Sequence, residues 1–259
     1  MRAIAAPSGV LRQDTPGLID DLLRAQPPGA IIQASGLSHH RGQGLHELYE
    51  GNVMPTVRLA SALERIGRRD VTVYVLGSAA ELGRTDQPAA ETDACQPHTD
   101  YGRSKWFQTL FALAKNRDGF RFNVLRLFNV VGPGMNPTQV PRCFVDAVVR
   151  GDSVLKTGAL DYERDYMTVE TAAGAIASLA AGGWSGGLVH LCTGRGTTAR
   201  ALIEEILRQT GRAVTIDERR AAAAGDYHSV GVPAVLEAAL GRPLLWSPEA
   251  CIRELIAHA

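Results

Sequence analysis

The sequence predicts an α/β protein built on a doubly wound, mostly parallel sheet, and three observations carry that prediction. Residues 29–35 (GAIIQAS), 70–78 (DVTVYVLGS) and 122–132 (FNVLRLFNVVG) are near-continuous apolar runs, the pattern of strands covered on both faces. Segments of helical period separate them, one ending at Gly67 and one at Gly119, both placed to cap a helix C-terminus. The alternation is therefore strand, helix, strand, helix, strand, which packs as crossover units.

Beyond residue 132 the order continues with a Pro/Gly-rich loop and a helix over VPRCFVDAVVRG. Short strands, a long helix from Thr198 to Gly211 and a closing helix near Pro248 to His258 follow. Two regions are expected: a Rossmann-like core over 1–132, and a mixed α/β region over 133–259 that completes the sheet and forms a substrate pocket.

Composition narrows the function classes. The chain has 259 residues, 45% hydrophobic and 21% charged, enough for a sizeable core, and its formal net charge is zero. Basic residues are scattered, so neither nucleic acid nor an anionic membrane is an expected partner. The longest apolar run, AAGAIASLAAGGW from Ala172, falls short of a membrane span of roughly 20 residues and reads as a packed helix. Cys95, Cys143, Cys192 and Cys251 form no CxxC pair, and the N-terminus lacks a signal-peptide pattern, so reduced thiols and a cytoplasmic location are expected. A small-molecule enzyme fits these bounds.

In such sheets chemistry gathers at the carboxyl ends of the strands. Ser78 stands directly after a buried strand, and Asn129 follows another. In YGRSK, Tyr101 and Lys105 are four residues apart, so phenol and ammonium share a helix face. A phenol with pKa near 10 is a poor acid or base at neutral pH. A nearby ammonium is expected to lower it, and a serine hydroxyl can hold the substrate oxygen. That set suits proton transfer at a carbinol or carbonyl.

The motifs AIIQASG, EGNVMPTVRLASALE, YVLGSAAELG, YGRSKW, LRLFNVVGPG and ERDYMTVE, followed by the TARALIEEILRQTG helix, carry a family resemblance over about 18–246. In that order and spacing they resemble the extended short-chain dehydrogenase/reductases, the NAD-dependent epimerase/dehydratase family, nearest its 4-keto-6-deoxyhexose reductase and GDP-sugar dehydratase branch. The resemblance implies Ser78, Tyr101 and Lys105 as a catalytic triad with Tyr101 the acid/base. It implies Lys105, with Ser35 and Gly9, as cofactor contacts, and Asn129 and Arg164 as contacts of a sugar-nucleotide-like substrate. It also implies a homodimer through the long helices. Asn52 matches the family's helix asparagine, but Pro55 just after it is expected to kink or restart that helix.

The opening stretch IAAPSGVLR departs from the family's GxxGxxG loop. Ala6, Gly9 and Arg12 fall in the three glycine places, and only Gly9 is kept. The segment LIDDLLRAQ then leads straight into the strand that is normally fourth, so the second and third strands have no counterpart and the sheet is expected to be shortened at one edge. A covered edge is expected there, since bare edges aggregate. NAD(P) is thus expected to be lost or weakly bound.

Three readings follow. The favoured one keeps the Ser78/Tyr101/Lys105 proton chemistry without nicotinamide, for elimination, epimerisation, aldol-type or cyclisation chemistry on a carbonyl substrate. The others are a nicotinamide-dependent nucleotide-sugar enzyme with weakened cofactor binding, and a non-catalytic descendant of one.

His39, His40 and His46 cluster in LSHHRGQGLH, where a solvated loop outweighs a metal site because no acidic or Cys partner stands nearby. The loop follows a strand, which makes His39 a substrate-facing candidate. Cys95 and His98 read as structural, and Arg164 reads equally as an Asp165 ion-pair partner or an anion contact. No metal is expected.

Overall fold

The computed structural model describes residues 17–25, 29–37, 44–219 and 228–259. In chain order the elements are α1 (Leu18–Ala25), β1 (Ala30–Gln33), α2 (Leu45–Asn52), α3 (Met54–Arg65), β2 (Thr72–Ser78), α4 (Asp100–Lys115), β3 (Arg121–Leu127), β4 (Asn129–Val131) and α5 (Arg142–Arg150). There follow β5 (Val154–Thr157), β6 (Glu163–Thr168), α6 (Val169–Ala181), β7 (Leu188–Leu191), β8 (Gly196–Thr198), α7 (Ala199–Thr210), β9 (Thr215–Glu218), α8 (Ala234–Leu240) and α9 (Pro248–Ala257).

Two compact units emerge. The first comprises the described residues of Met1–Gly83, Glu91–Leu127 and Ile176–Val189, the second Arg84–Ala90, Phe128–Ala175 and His190–Ala259. The chain thus passes between them several times, whereas the order of elements suggested two regions, 1–132 and 133–259.

The first unit holds β1, β2 and β3 of the sheet ordered β1-β2-β3-β7. β1 pairs β2 in parallel from Ala30 opposite Thr72, and β2 pairs β3 in parallel from Thr72 opposite Arg121. Val73, Val75, Phe122 and Val124 are buried on the sheet against Leu59, Leu63 and Ala112 of the flanking helices. At about 25 cal/mol per Å² of apolar surface, this burial is the main stabilising term. Among the described residues β1 is an end of this sheet; the opening stretch IAAPSGVLR, on which the expected shortening and covering of this edge rest, lies outside them.

Pro55 restarts the helix, as its missing N–H requires. α2 ends at Asn52, and α3 opens at Met54 with Pro55 in its first turn, where no donor is lost. Gly67 and Gly119 take left-handed φ of 70° and 81°, so both end their helical segments as expected.

The run 122–132 is not one strand. β3 stops at Leu127, and β4 joins a second-unit sheet ordered β4-β6-β8, in which β4 runs parallel and β8 antiparallel to β6. That unit's core gathers Phe144, Val148, Leu202, Ile206, Trp246 and Ile252 from α5, α7, α9 and the loop before α9. β5 and β9 form a separate parallel pair. Among the described residues no helix is long and apolar enough to cross a membrane.

Candidate active site

Ser78 closes β2 with extended backbone and caps the short 3-10 turn Ala79–Glu81, its Oγ accepting from Ala80 N at 3.3 Å. Ser78 N donates to Glu81 Oε1 at 2.8 Å, which folds the glutamate back toward the strand end. Arg126, next to the carboxyl end of β3, meets Glu81 Oε2 through Nε at 3.1 Å and Nη2 at 3.0 Å. This ion pair is buried on both sides, and it fixes the turn that carries Ser78.

α4 begins beside that turn. Thr99 caps it by accepting from Gly102 N at 3.0 Å. A Cβ on Gly102 would collide with Ala80 O, so glycine is what lets the first turn of α4 approach the 3-10 turn. The approach sets the half-buried Tyr101 in hydrogen-bonding reach of Ser78.

Burial pushes the Tyr101 phenol above its ordinary value, with the Ser78 hydrogen bond pulling it down and the Glu81 carboxylate pushing it further up. This corrects the expected lowering by Lys105. The Lys105 ammonium turns instead to β2, donating to Leu76 O at 2.6 Å, and to Gln108 Oε1. Burial drops Lys105 to about 8, with Glu81 opposing. Ser78 and Tyr101 are therefore brought together, while Lys105 sits on the same helix face but is engaged elsewhere.

Sequence reasoning missed the polar lining under this face. α4 buries Ser104, Lys105, Gln108 and Thr109 and exposes Phe107 and Leu110, the reverse of ordinary amphipathic order. Asn52 Oδ1 accepts from Leu37 N at 2.7 Å, and its Nδ2 donates to Ser104 Oγ at 2.9 Å, which in turn donates to Tyr101 O at 2.8 Å. Ser35, just past β1, accepts from Gln33 Nε2 at 2.7 Å. The sequence signals were Gln33 and Arg126, polar residues inside apolar strands, where burial demands partners.

Gly9, His39 and His40 lie outside the described residues. Asn129 and Arg164 belong to the second unit. Asn129 Nδ2 donates to Asp165 O at 2.9 Å, tying β4 to β6. The buried Asp165 carboxylate accepts from Thr193 N and Oγ1 and from Gly194 N, so backbone donors and a hydroxyl hold it. Cys95 Sγ lies 3.3 Å from Arg126 Nη2, and burial pushes its thiol up, as befits a structural cysteine. Among the described residues no group of three His, Cys, Asp or Glu could hold a metal ion.

Ser35, Tyr101 and Lys105 suit the ribose end of a nicotinamide cofactor. Among the described residues Lys105 uses two of its three N–H bonds, so a third can serve an oxygen ligand, and the Ser35 hydroxyl can still donate.

The family model described as "NAD dependent epimerase/dehydratase family" matches residues 11–188. The dTDP-6-deoxy-L-talose 4-dehydrogenase (NAD(P)(+)) of Kitasatospora kifunensis is 28% identical over 217 residues, 80% of this chain and 67% of that protein. The GDP-6-deoxy-D-mannose reductase of Pseudomonas aeruginosa is 26% identical over 216 residues, 78% of this chain and 69% of that protein. The matches span about two thirds of the curated relatives' length, from 65% upward. Among solved structures, RMD from Pseudomonas aeruginosa complexed with NADPH superposes with a TM-score of 0.85 at 23% identity, over 96% of this chain and 84% of that one, a likeness of fold.

Proposed function

This chain belongs to the NAD-dependent epimerase/dehydratase family, and we propose that it is a nicotinamide-using epimerase, dehydratase or reductase of nucleotide sugars. The observation that carries the proposal is the junction of Tyr101 with Ser78 at the carboxyl end of β2, with Lys105 one turn further along α4. The cofactor-free reading favoured by sequence rests on residues 4–12, outside the described part, and on strands judged missing. The names of the relatives, one of them an NAD(P)(+) enzyme, favour the nicotinamide reading instead.

When bound, the nicotinamide supplies or accepts a hydride at the carbinol or carbonyl carbon. The chain's own residues handle the proton. Tyr101, a phenol protonated at neutral pH like any ordinary tyrosine and held further up by burial, donates its proton to a carbonyl oxygen as that oxygen gains charge. Ser78 Oγ hydrogen-bonds the same oxygen and fixes its place. Lys105 would offer a further N–H to the ribose, and the Ser78 hydrogen bond, which pulls the Tyr101 phenol down, favours the phenolate once the proton has left. The reverse reaction begins with the phenolate and returns the proton to Tyr101. A donor phenol suits the reductive direction.

Asn129 and Arg164 remain candidates for substrate contact through their motif positions, and Arg164 suits a diphosphate. A homodimer is proposed as well, supported by the exposed apolar residues Leu45, Phe107 and Leu110 on α2 and α4.

Incubation of the purified protein with NADPH or NAD+ and a panel of UDP-, GDP- and dTDP-sugars tests the reading. Turnover that falls by about 10²-fold or more in Tyr101→Phe is expected. No turnover of any of these by a folded protein would overturn it.

A further inference from the structure

Lys105 heads a chain of buried amides whose direction is determined by its own chemistry. An ammonium only donates, so Gln108 must present Oε1 to it. Gln108 Nε2 then points the other way and donates to Gln33 Oε1 at 3.1 Å and to Thr56 Oγ1 at 2.9 Å. Gln33, its oxygen occupied, turns Nε2 to Ser35, reaching Oγ at 2.7 Å and O at 3.2 Å. Gln33, Thr56 and Gln108 are at most 1% exposed, so water does not compete for these bonds. Aligned dipoles in such a setting reinforce one another.

We propose that Gln108 is a positioning residue for Lys105, holding its ammonium against the Leu76 carbonyl and coupling its charge to the Gln33–Ser35 segment beyond β1. The proposal rests on the reading of Lys105 as part of the acid/base site.

Burial of Lys105 disfavours the ammonium, and the carboxylate acting on it is Glu81 of the 3-10 turn, itself shared with Arg126. With so little compensating charge, the two neutral acceptors, Leu76 O and Gln108 Oε1, retain the proton. When Lys105 loses it, the amine acquires a lone pair that prefers a donor. Gln108 then presents Nε2 and withdraws it from Gln33, which releases the Gln33 amide from its present orientation. The state of the ammonium is therefore felt at Ser35, at the neighbouring strand end.

The chain contains only three lysines, Lys105, Lys115 and Lys156, so lysine labelled with ¹³C at Cε gives three signals. Lys115→Arg and Lys156→Arg assign them. The experiment follows their pH titrations in the protein without nucleotide or sugar, in wild type, Gln108→Glu and Gln108→Leu. The expected result is a Lys105 midpoint about one unit higher in Gln108→Glu and about one unit lower in Gln108→Leu, with Lys115 and Lys156 unmoved. A Lys105 midpoint that stays in place in both variants, or moves the same way in both, overturns the proposal.

Wild-type protein gives a second test that needs no variant. The side-chain amide signals of Gln108 and Gln33 should shift with the Lys105 midpoint, and flat amide signals through it overturn the proposal. Neither reading depends on turnover, so failure of the proposed activity and failure of this coupling are separate results.

Discussion

Arg126 Nη2 stands 3.0 Å from Glu81 Oε2, with the two side chains 2% and 0% exposed. The pair joins the carboxyl end of β3 to the turn after β2, and Glu81 also takes the Ser78 amide. Removing one partner strands the other charge out of water. Glu81→Gln should destabilise the protein by roughly 3–5 kcal/mol, read as a lower urea midpoint. The double change Glu81→Leu with Arg126→Met should recover much of that loss. Equal stability of wild type and Glu81→Gln would contradict this account of the turn.

Gly102 permits the approach of α4 to Ala80 O. Gly102→Ala forces the two apart, and with them Tyr101 and Ser78. A stability loss of about 1–3 kcal/mol is expected. Activity should fall by more than the folded fraction does, measured with a substrate that wild type turns over.

Lys105 gives a pH signature. Its folded value is depressed to about 8, so between that and its ordinary 10.5 the unfolded chain binds more protons and stability rises with pH. The cost of burying the ammonium is fully present below pH 8 and is relieved above it. Relative to Lys105→Met, wild type should gain about 2 kcal/mol between pH 7 and pH 9.5, from urea unfolding at each pH. Tyr101 works against this only above pH 10, where the unfolded phenol ionises first.

The outward face of α4 predicts association. Phe107 and Leu110 are 44% and 46% exposed on a helix whose inner face is polar. Sedimentation velocity should show a dimer in wild type and a monomer in Phe107→Glu with Leu110→Glu, both folded by circular dichroism. A wild-type monomer at tens of micromolar would rule the dimer out.

Much of this was legible in the sequence. Apolar runs located β1, β2 and β3, the glycines at 67 and 119 marked helix ends, and Pro55 announced the break that starts α3 at Met54. Ser78 after a buried strand and Tyr101 at a helix start were found from local pattern alone. The rest depends on pairings distant in sequence. FNVLRLFNVVG reads as one strand because its apolar run is unbroken, yet Phe128 N turns to Leu191 O and β4 leaves for another sheet. The direction of the Lys105 ammonium was invisible for the same reason. Spacing puts it on Tyr101's face, but Leu76 O and Gln108 decide where it points.

The most direct test of the central claim is calorimetric titration of the protein with NADPH and NADH, in wild type and Lys105→Met. Saturable binding to wild type, weakened in Lys105→Met without loss of fold, is the predicted result. A folded wild-type protein that takes up neither nucleotide at millimolar concentration would contradict the nicotinamide-dependent account and return the Ser78 and Tyr101 pair to non-redox proton chemistry.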